Sequence, residues 1–429
     1  MAKYNVLVFP AGAENALEIY DSLRYNVNVE LYGASGKKDF AEFRYPDDRY
    51  IEEDLYFTRP GFIEKFNGII EKYGIDVVIP THDDIALYFA EHREEFKAKV
   101  LVSDKKTALI CRKKSLMYKT LSGEDFCPEV YKSEKEVSDN AYPLFVKPDI
   151  GAGSVGAKVL KSKEDVFEEC FTEKYVVCEY LPGEELTVDC FTDRKGNLKF
   201  VGPRSRDRIL MGISFGAKTV KLSEEIKHIA ETINSKMSLF GAWYFQIKED
   251  KNGNYKLLEV SCRQAGTMTL YRHMGINFPM LGIFELMGVD TSFVKLDTDC
   301  RIERCLHTAF KTGIKYDTVY FDFDDTIIVK DKVCDVVIRF IYQCINEGKK
   351  LILLTRHEGE LATIMREHRL NKDMFDEIIH ITFNESKADY IKAEKAIFLD
   401  NSYVERKLVA DKFGIPVFDV DMIDMLLAE

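Results

Sequence analysis

The sequence has no Cys-x-x-Cys pair, and its ten cysteines are scattered singly. Cys300 and Cys305 come closest to one another, without the further His and Cys spacing that would complete a zinc site. The cysteines are therefore expected to be small buried hydrophobes in a reducing compartment. No apolar run approaches the roughly 20 residues needed to cross a bilayer. Residues 6–13 follow Lys3 and are apolar, but the run is short, contains Pro10 and leads into Glu14 and an amphipathic stretch. It is expected to be a buried first strand, not a signal peptide. Positive charge is not in excess either. Lys and Arg number 60 against 72 Asp and Glu, for a formal net charge of -12. That balance argues against a nucleic-acid partner, because binding a polyanion relies on neutralising its phosphates. No internal repeat and no low-complexity tract is present. The expectation is a soluble, cytoplasmic protein with neither nucleic acid nor membrane as partner.

The length of 429 residues suits two to three domains. With 46% hydrophobic and 31% charged residues, the chain can build well-filled cores. Strands at 5–10, 27–32, 75–80 and 100–102 alternate with helices at 14–24 and 83–96, which predicts a parallel sheet covered by helices. Residues 37–59 show no period and are expected to be a long connection. From Pro143 the pattern changes to strands at 142–147, 174–180, 185–193, 198–203, 242–249 and 254–260, with a helix at 224–239. This predicts α+β with antiparallel pairing. A third pattern starts near Lys315, with strands at 318–323, 350–355, 377–383 and 396–400 and a helix at 333–347. It is βαβ again, with the linker between 302 and 316.

Three features of the middle region point to phosphate chemistry. Phe145-Val146-Lys147-Pro148 is a strand ending in Lys, followed by the small-residue loop Gly151-Ala152-Gly153-Ser154-Val155-Gly156. Such a loop lets backbone N–H groups approach phosphate oxygens, with Lys147 as a point charge; a glycine-bearing hairpin turn explains it equally well. Next, the strand closing at Glu179 meets a turn at Pro182-Gly183, and carboxylates open the following strand. Last, residues 242–249 and 254–260 are joined across Asn252-Gly253, which favours a two-residue hairpin turn. Counting outward from Lys251 and Asn254 sets Gln246 opposite Glu259 on one face. Two facing oxygen donors suit a Mg²⁺ that bridges nucleotide phosphates.

Residues 1–310, on these pieces and on Lys113-Lys114 and Glu259-Val260-Ser261-Cys262-Arg263, resemble the ATP-grasp superfamily, and within it carbamoyl-phosphate synthase halves and related carboxylate–amine ligases. The resemblance implies that Lys114 and Lys147 contact phosphates of ATP beside Gly151, Gly153 and Ser154. Glu179, Tyr180 and Leu181 would form the adenine hinge and Glu185 would hold the ribose. Gln246 and Glu259 would ligate Mg²⁺ (or Mn²⁺), and Arg263 would steady the transferring phosphoryl group. Ser261 stands where the family pattern has Asn. Arg204, Arg206 and Arg208 alternate, so an extended segment would put them on one face, to grip an anionic substrate or to lie solvated. Pro80-Thr81-His82-Asp83-Asp84 would sit at the C-terminal end of a parallel strand, where such folds bind ligands, but Thr81 as N-cap with acids in the first turn explains it fully, and the cap is the favoured reading.

In the last region, Asp322 and Asp324 sit at i and i+2 at the end of an apolar strand, on one face. Like charges so close ask for a metal or a shared proton. Thr355 ends the next strand, Lys387 starts a helix, and Asp400 ends a further strand, with Glu405 one turn on. This ordered set over 316–429 resembles the haloacid-dehalogenase-like superfamily. By that resemblance Asp322 is the nucleophile and Asp324 the general acid/base. Thr355 and Lys387 would bind the phosphate, and Asp400 would join Asp322 and Asp324 in the Mg²⁺ site. The motif intervals leave no room for a cap domain.

The expected architecture is thus α/β and α+β multidomain. A parallel α/β domain (1–104) precedes an ATP-grasp domain (105–312) and a capless Rossmann-like haloacid-dehalogenase domain (313–429). The expected activity is bifunctional: an ADP-forming carboxylate–amine ligase with a phosphatase. A small-molecule kinase on the same core, or a nucleotide-binding regulatory module on a phosphatase, are the alternatives. The partners implied are a small carboxylate, an amine and a phosphate ester, with a homodimer as a possible assembly.

Overall fold

A computed structural model describes residues 3–151, 153, 155–210 and 212–428. The chain divides into two compact units, Met1–Leu306 and His307–Glu429. Among the described residues no helix is long and apolar enough to cross a membrane. All ten cysteines are unbridged.

The first unit opens with a parallel sheet of β1 (Tyr4–Phe9), β2 (Val29–Ser35), β3 (Tyr50–Glu52), β4 (Val77–Pro80) and β5 (Lys99–Val100), in the order β3-β2-β1-β4-β5. Residues of β1 alternate between two cores. Val6 and Val8 pack with Ile19 and Leu23 of α1 (Glu14–Leu23), while Leu7 and Phe9 pack with Phe66 of α2 (Phe62–Tyr73) and Phe89 of α3 (Asp83–Glu91). Burial on both faces explains the unbroken apolar run. Strand β3 lies within the stretch expected as a connection. It is only three residues long with Ile51 alone buried, too short to show a period.

Helices α4 (Lys105–Arg112) and α5 (Lys114–Thr120) lead to an antiparallel sheet of β6 (Val130–Tyr131), β7 (Leu144–Pro148), β8 (Lys158–Leu160) and β9 (Tyr175–Glu179), ordered β6-β9-β7-β8. Next come β10 (Glu185–Thr192), β11 (Leu198–Ser205), β12 (Arg208–Leu210) and β13 (Ile213–Lys218). After α6 (Glu224–Lys236) follow β14 (Gly241–Glu249), β15 (Tyr255–Ser261), α7 (Thr269–His273), α8 (Phe278–Leu286) and β16 (Arg301–Glu303). The large sheet runs β11-β10-β14-β15, and β12-β13-β16 form a small one. Helix α6 begins where the Ser223 hydroxyl accepts the Ile226 N–H at 3.2 Å. It buries Ile226, Ile229, Ala230 and Ile233, spaced i, i+3, i+4 and i+7, in one cluster with Leu186, Val188 and Phe245.

The second unit is a parallel sheet with helices. Its elements are β17 (Thr318–Phe321), β18 (Ile328–Val329), β19 (Lys332–Val333), α9 (Asp335–Asn346), β20 (Lys350–Thr355), α10 (Leu361–Glu367), β21 (Glu377–His380), β22 (Ala396–Leu399), α11 (Tyr403–Phe413) and β23 (Val417–Phe418). The order is β21-β20-β17-β22-β23. Val319 and Phe321 pack with Val337, Phe340 and Ile341 of α9, and Tyr320 packs with Ile352 and Phe398 in a second cluster. The sheet order reverses between β17 and β22, which leaves a crevice at their carboxyl ends.

Candidate functional site

In the first unit the site is built on rows that cross the large sheet. Arg204 pairs with Thr187, Thr187 with Gln246 and Gln246 with Glu259, so four strands contribute to one row. The adjacent row runs Gly202, Asp189, Tyr244 and Ser261.

Gln246 does face Glu259, but not through the expected turn. The Asp250 N–H donates to the Asn254 carbonyl at 2.9 Å, which makes a three-residue loop of Lys251, Asn252 and Gly253. The Asp250 carboxylate accepts the N–H groups of Asn252 (2.7 Å) and Asn254 (3.0 Å), satisfying the wider loop. Gly253, at φ 83°, takes the left-handed position. The resulting register sets Ile247 opposite Leu257, and a bulge at Leu258 shifts it so that Gln246 meets Glu259.

The bulge has a second consequence. The Leu258 carbonyl leaves the ladder and accepts the Lys147 ammonium at 2.8 Å, and Lys147 also donates to the Tyr118 hydroxyl at 2.8 Å. Burial pushes the Lys147 ammonium below the usual lysine value, partly offset by Cys178 and Glu259. Lys114 lies 3.4 Å from the Gly151 carbonyl, and burial likewise pulls it down against the attraction of Glu259. Both lysines line a cleft with about 940 Å³ of open-sided space, together with Gly151, Gly153, Glu179, Tyr180, Leu181 and Glu185. Ser154 is outside the described residues. Gly212 approaches Gly153 so closely that a Cβ on it would lie 2.3 Å from the Gly153 Cα. At the end of β9 the Glu179 carboxylate accepts the Glu129 N–H at 3.0 Å. Glu185 pairs with Arg206 at 2.7 Å.

Gln246 and Glu259 also line a second, adjoining open-sided cleft, whose far wall comes from the β1–α1 and β4–α3 connections. That wall corrects the reading of residues 80–84. Helix α3 is capped by the His82 side chain, 3.4 Å from the Asp84 N–H, while the Thr81 hydroxyl donates to the Pro10 carbonyl at 2.8 Å. The acids do more than sit in a first turn. Asp83 receives Arg263 in a bidentate contact (3.0 and 3.1 Å) and the Ser261 hydroxyl at 2.8 Å. Burial alone would raise Asp83, but Arg263 outweighs it and holds the carboxyl below its usual range. Arg263 is raised in turn, its own burial outweighed by Asp83. Asp84 receives Arg112 at 2.5 and 3.0 Å.

The three alternating arginines do not share one task. Arg204 is buried and pairs with Asp189 at 2.7 and 3.1 Å. Arg206 turns to Glu185, and Arg208 pairs with Glu303 on the exterior. The segment breaks between β11 and β12, so period two does not hold across it.

In the second unit, Lys387 bridges the two sequence-predicted carboxylates, 2.6 Å from Asp322 and 2.7 Å from Asp400. Burial and the Asp400 charge push Asp322 up, with Lys387 offsetting part of this. Burial raises Asp400, again against Lys387. Asp324 turns to the His357 ring, at 2.9 and 3.1 Å. Among the described residues no group of three or more His, Cys, Asp or Glu is gathered to hold a metal, so Asp322, Asp324 and Asp400 do not form one ligand cluster. The buried Thr355 hydroxyl accepts the His357 N–H at 3.1 Å. Arg356 ties Glu405 (2.7 Å) to the Glu385 carbonyl (2.8 and 3.0 Å).

Sequence reasoning read Asp83 and Asp84 only as first-turn acids of a helix and missed Arg112, Tyr118, Thr187, Arg356 and His357. A signal existed for some. Tyr118 is i+4 from Lys114 on α5, and Arg356 and His357 directly follow Thr355 at a strand end. The Asp83–Arg263 pair joins positions 180 residues apart and left no local trace.

Residues 171–307 match the model of a family described as ATP-grasp in the biosynthetic pathway with Ter operon. No curated protein matches the chain in sequence. Among solved structures, the biotin carboxylase domain of Hydrogenobacter thermophilus 2-oxoglutarate carboxylase, a complex with MgADP, ADP and bicarbonate, is 14% identical. It covers 69% of this chain and 72% of its own, with a TM-score of 0.57. N5-carboxyaminoimidazole synthetase from Staphylococcus aureus, complexed with ADP, is 15% identical over 68% of this chain and 79% of its own, with a TM-score of 0.54. The L-amino acid ligase of Bacillus licheniformis is 16% identical over 67% and 75%, with a TM-score of 0.52. At such identities the likeness is one of fold. With the family match, it gives this mixed α/β multidomain chain an ATP-grasp-like fold.

Proposed function

We propose that the first unit is an ATP-dependent carboxylate–amine ligase and the second a phosphatase. The observation that carries the ligase reading is the Gln246–Glu259 pair on the wall common to both clefts, flanked by Lys114 and Lys147. In one cleft Lys114 and Lys147 hold the phosphates of ATP, the Glu179–Leu181 segment holds the adenine and Glu185 the ribose. Gln246 and Glu259 are hard oxygen donors, and Mg²⁺ commonly takes one or two protein ligands with substrate phosphates completing its shell. Bound there, it would neutralise phosphate charge. In the second cleft an acid presents its carboxylate oxygen to the γ-phosphorus. A bond forms between them, the bond to the bridging oxygen breaks and ADP leaves. Arg263, held by Asp83, neutralises the charge on the transferring group. An amine then attacks the acyl carbon, phosphate departs and the amine proton passes to solvent.

The three solved structures support this reading by fold, and two of them carry ADP. The test is product analysis by mass spectrometry after incubation with ATP, Mg²⁺ and a panel of acids and amines. ADP should form with a matching acid and amine, together with the amide. ADP at background with every pair would exclude the ligase.

For the second unit the supporting observation is Lys387 between the raised carboxylates Asp322 and Asp400. Asp322 attacks phosphorus, Thr355 and Lys387 hold the phosphate oxygens, and Asp324 protonates the leaving alcohol. Hydrolysis of a generic phosphate ester that disappears in Asp322→Asn is the expected result.

A further inference from the structure

Most of the arginines around the second cleft are committed to acids, while Lys114 and Glu259 of its lining are in no ion pair among the described residues. Arg112 is held by Asp84, Arg263 by Asp83 and Arg206 by Glu185. Arg204 differs. It gives Nε and Nη2 to Asp189, and its buried Nη1 has no hydrogen-bond partner among the described residues; Arg206 Nε also makes no hydrogen bond but lies 2.7 Å from the Glu185 carboxylate. Arg204 nonetheless lines the second cleft, although only 1% of the residue is exposed.

We propose that the second cleft takes an acid bearing a second anionic group, and that Arg204 Nη1 is the donor that selects it. The inference rests on the ligase reading and adds the class of acid. A guanidinium presents two edges, so a carboxylate on the Nε/Nη2 edge leaves Nη1 able to donate to another anion. The alternative is a buried, charged N–H left unsatisfied, which is costly.

Distance sets the shape of the ligand. Arg204, Thr187, Gln246 and Glu259 follow one another across the sheet, and neighbouring strands are about 4.8 Å apart. The Arg204 backbone is therefore roughly 10 Å from that of Gln246, two strands away. A short monocarboxylate activated near Glu259 would not reach Arg204. An extended molecule with an anion at each end would span the interval. Arg206, the neighbouring arginine of the same segment, is turned toward Glu185.

The experiment is calorimetric titration of glutarate, adipate and valerate into the full chain loaded with Mg·ADP. One or both dicarboxylates should bind about tenfold or more tightly than valerate, the size of one charge-assisted hydrogen bond. Arg204→Lys keeps a cation for Asp189 but removes Nη1, and should bring the ratio within about threefold. Equal binding of valerate, no binding of either dicarboxylate, or an unchanged preference in Arg204→Lys would each overturn the proposal. The comparison among the three acids in the unmodified protein stands even if the variant does not fold. Failure of Mg·ADP to bind would count against the nucleotide reading instead, and the same acids titrated without nucleotide would still decide the role of Arg204.

Discussion

Lys147 is held by two neutral oxygens, from Tyr118 and Leu258, and among the described residues it forms no ion pair with a carboxylate. Burial lowers the Lys147 ammonium, and an anionic phosphate beside it would restore and use its charge. Lys147→Met should therefore weaken Mg·ADP binding by tenfold or more, read by calorimetry, since a hydrogen bond to a charged group is worth about 1.5–3 kcal/mol. Asp83 is the opposite case, because its charge is wholly spent on Arg263 and Ser261. Asp83→Asn leaves Arg263 mostly buried with no acid. It is expected to cost about 3–5 kcal/mol in chemical denaturation, and turnover should fall further than nucleotide affinity. The sequence made Lys147 visible because a strand-ending Lys beside glycines is a local pattern. Asp83 was hidden because a helix start explains an acid locally, and its true partner lies just past the end of β15, far along the chain.

At the scale of elements, the β14–β15 hairpin shows how a correct pairing can rest on incorrect geometry. Asn-Gly suggested a two-residue turn, yet Asp250 closes a three-residue loop, and the extra residue at Leu258 restores the pairing of Gln246 with Glu259. A one-residue change in the loop and a one-residue bulge offset each other, and neither is written in period-two alternation. Deleting Leu258 should leave a regular ladder with Gln246 still opposite Glu259, while Lys147 loses one of its two acceptors. The expected outcome is an unchanged far-UV circular dichroism spectrum with about tenfold weaker Mg·ADP binding. If affinity is unchanged, the bulge serves only the register. Gly253→Val tests the loop separately. Its left-handed φ should make the substitution cost about 1–2 kcal/mol of stability with no effect on nucleotide binding at the remote cleft.

At the scale of the whole molecule, both units begin with the same device, a parallel sheet whose order reverses beside its first strand. The alternation of strand and helix was legible in both, since buried parallel strands are short apolar runs between helical periods. The edge strand β3 and the small β12-β13-β16 sheet were not, because strands of a few half-exposed residues carry no period. Each unit also has cores made of its own residues. Separate cores predict separate cooperativity. Fragments 1–306 and 307–429, expressed alone, should each unfold in a single transition. If each site is built within its unit, the chemistries should separate too. Asp322→Asn should abolish ester hydrolysis and leave Mg·ADP affinity unchanged, and Lys147→Met should do the reverse. The double variant should then show the product of the two single effects, because sites without shared partners behave additively. A loss of ester hydrolysis in Lys147→Met would mean that the second site depends on the first, and two independent active sites would no longer describe the chain.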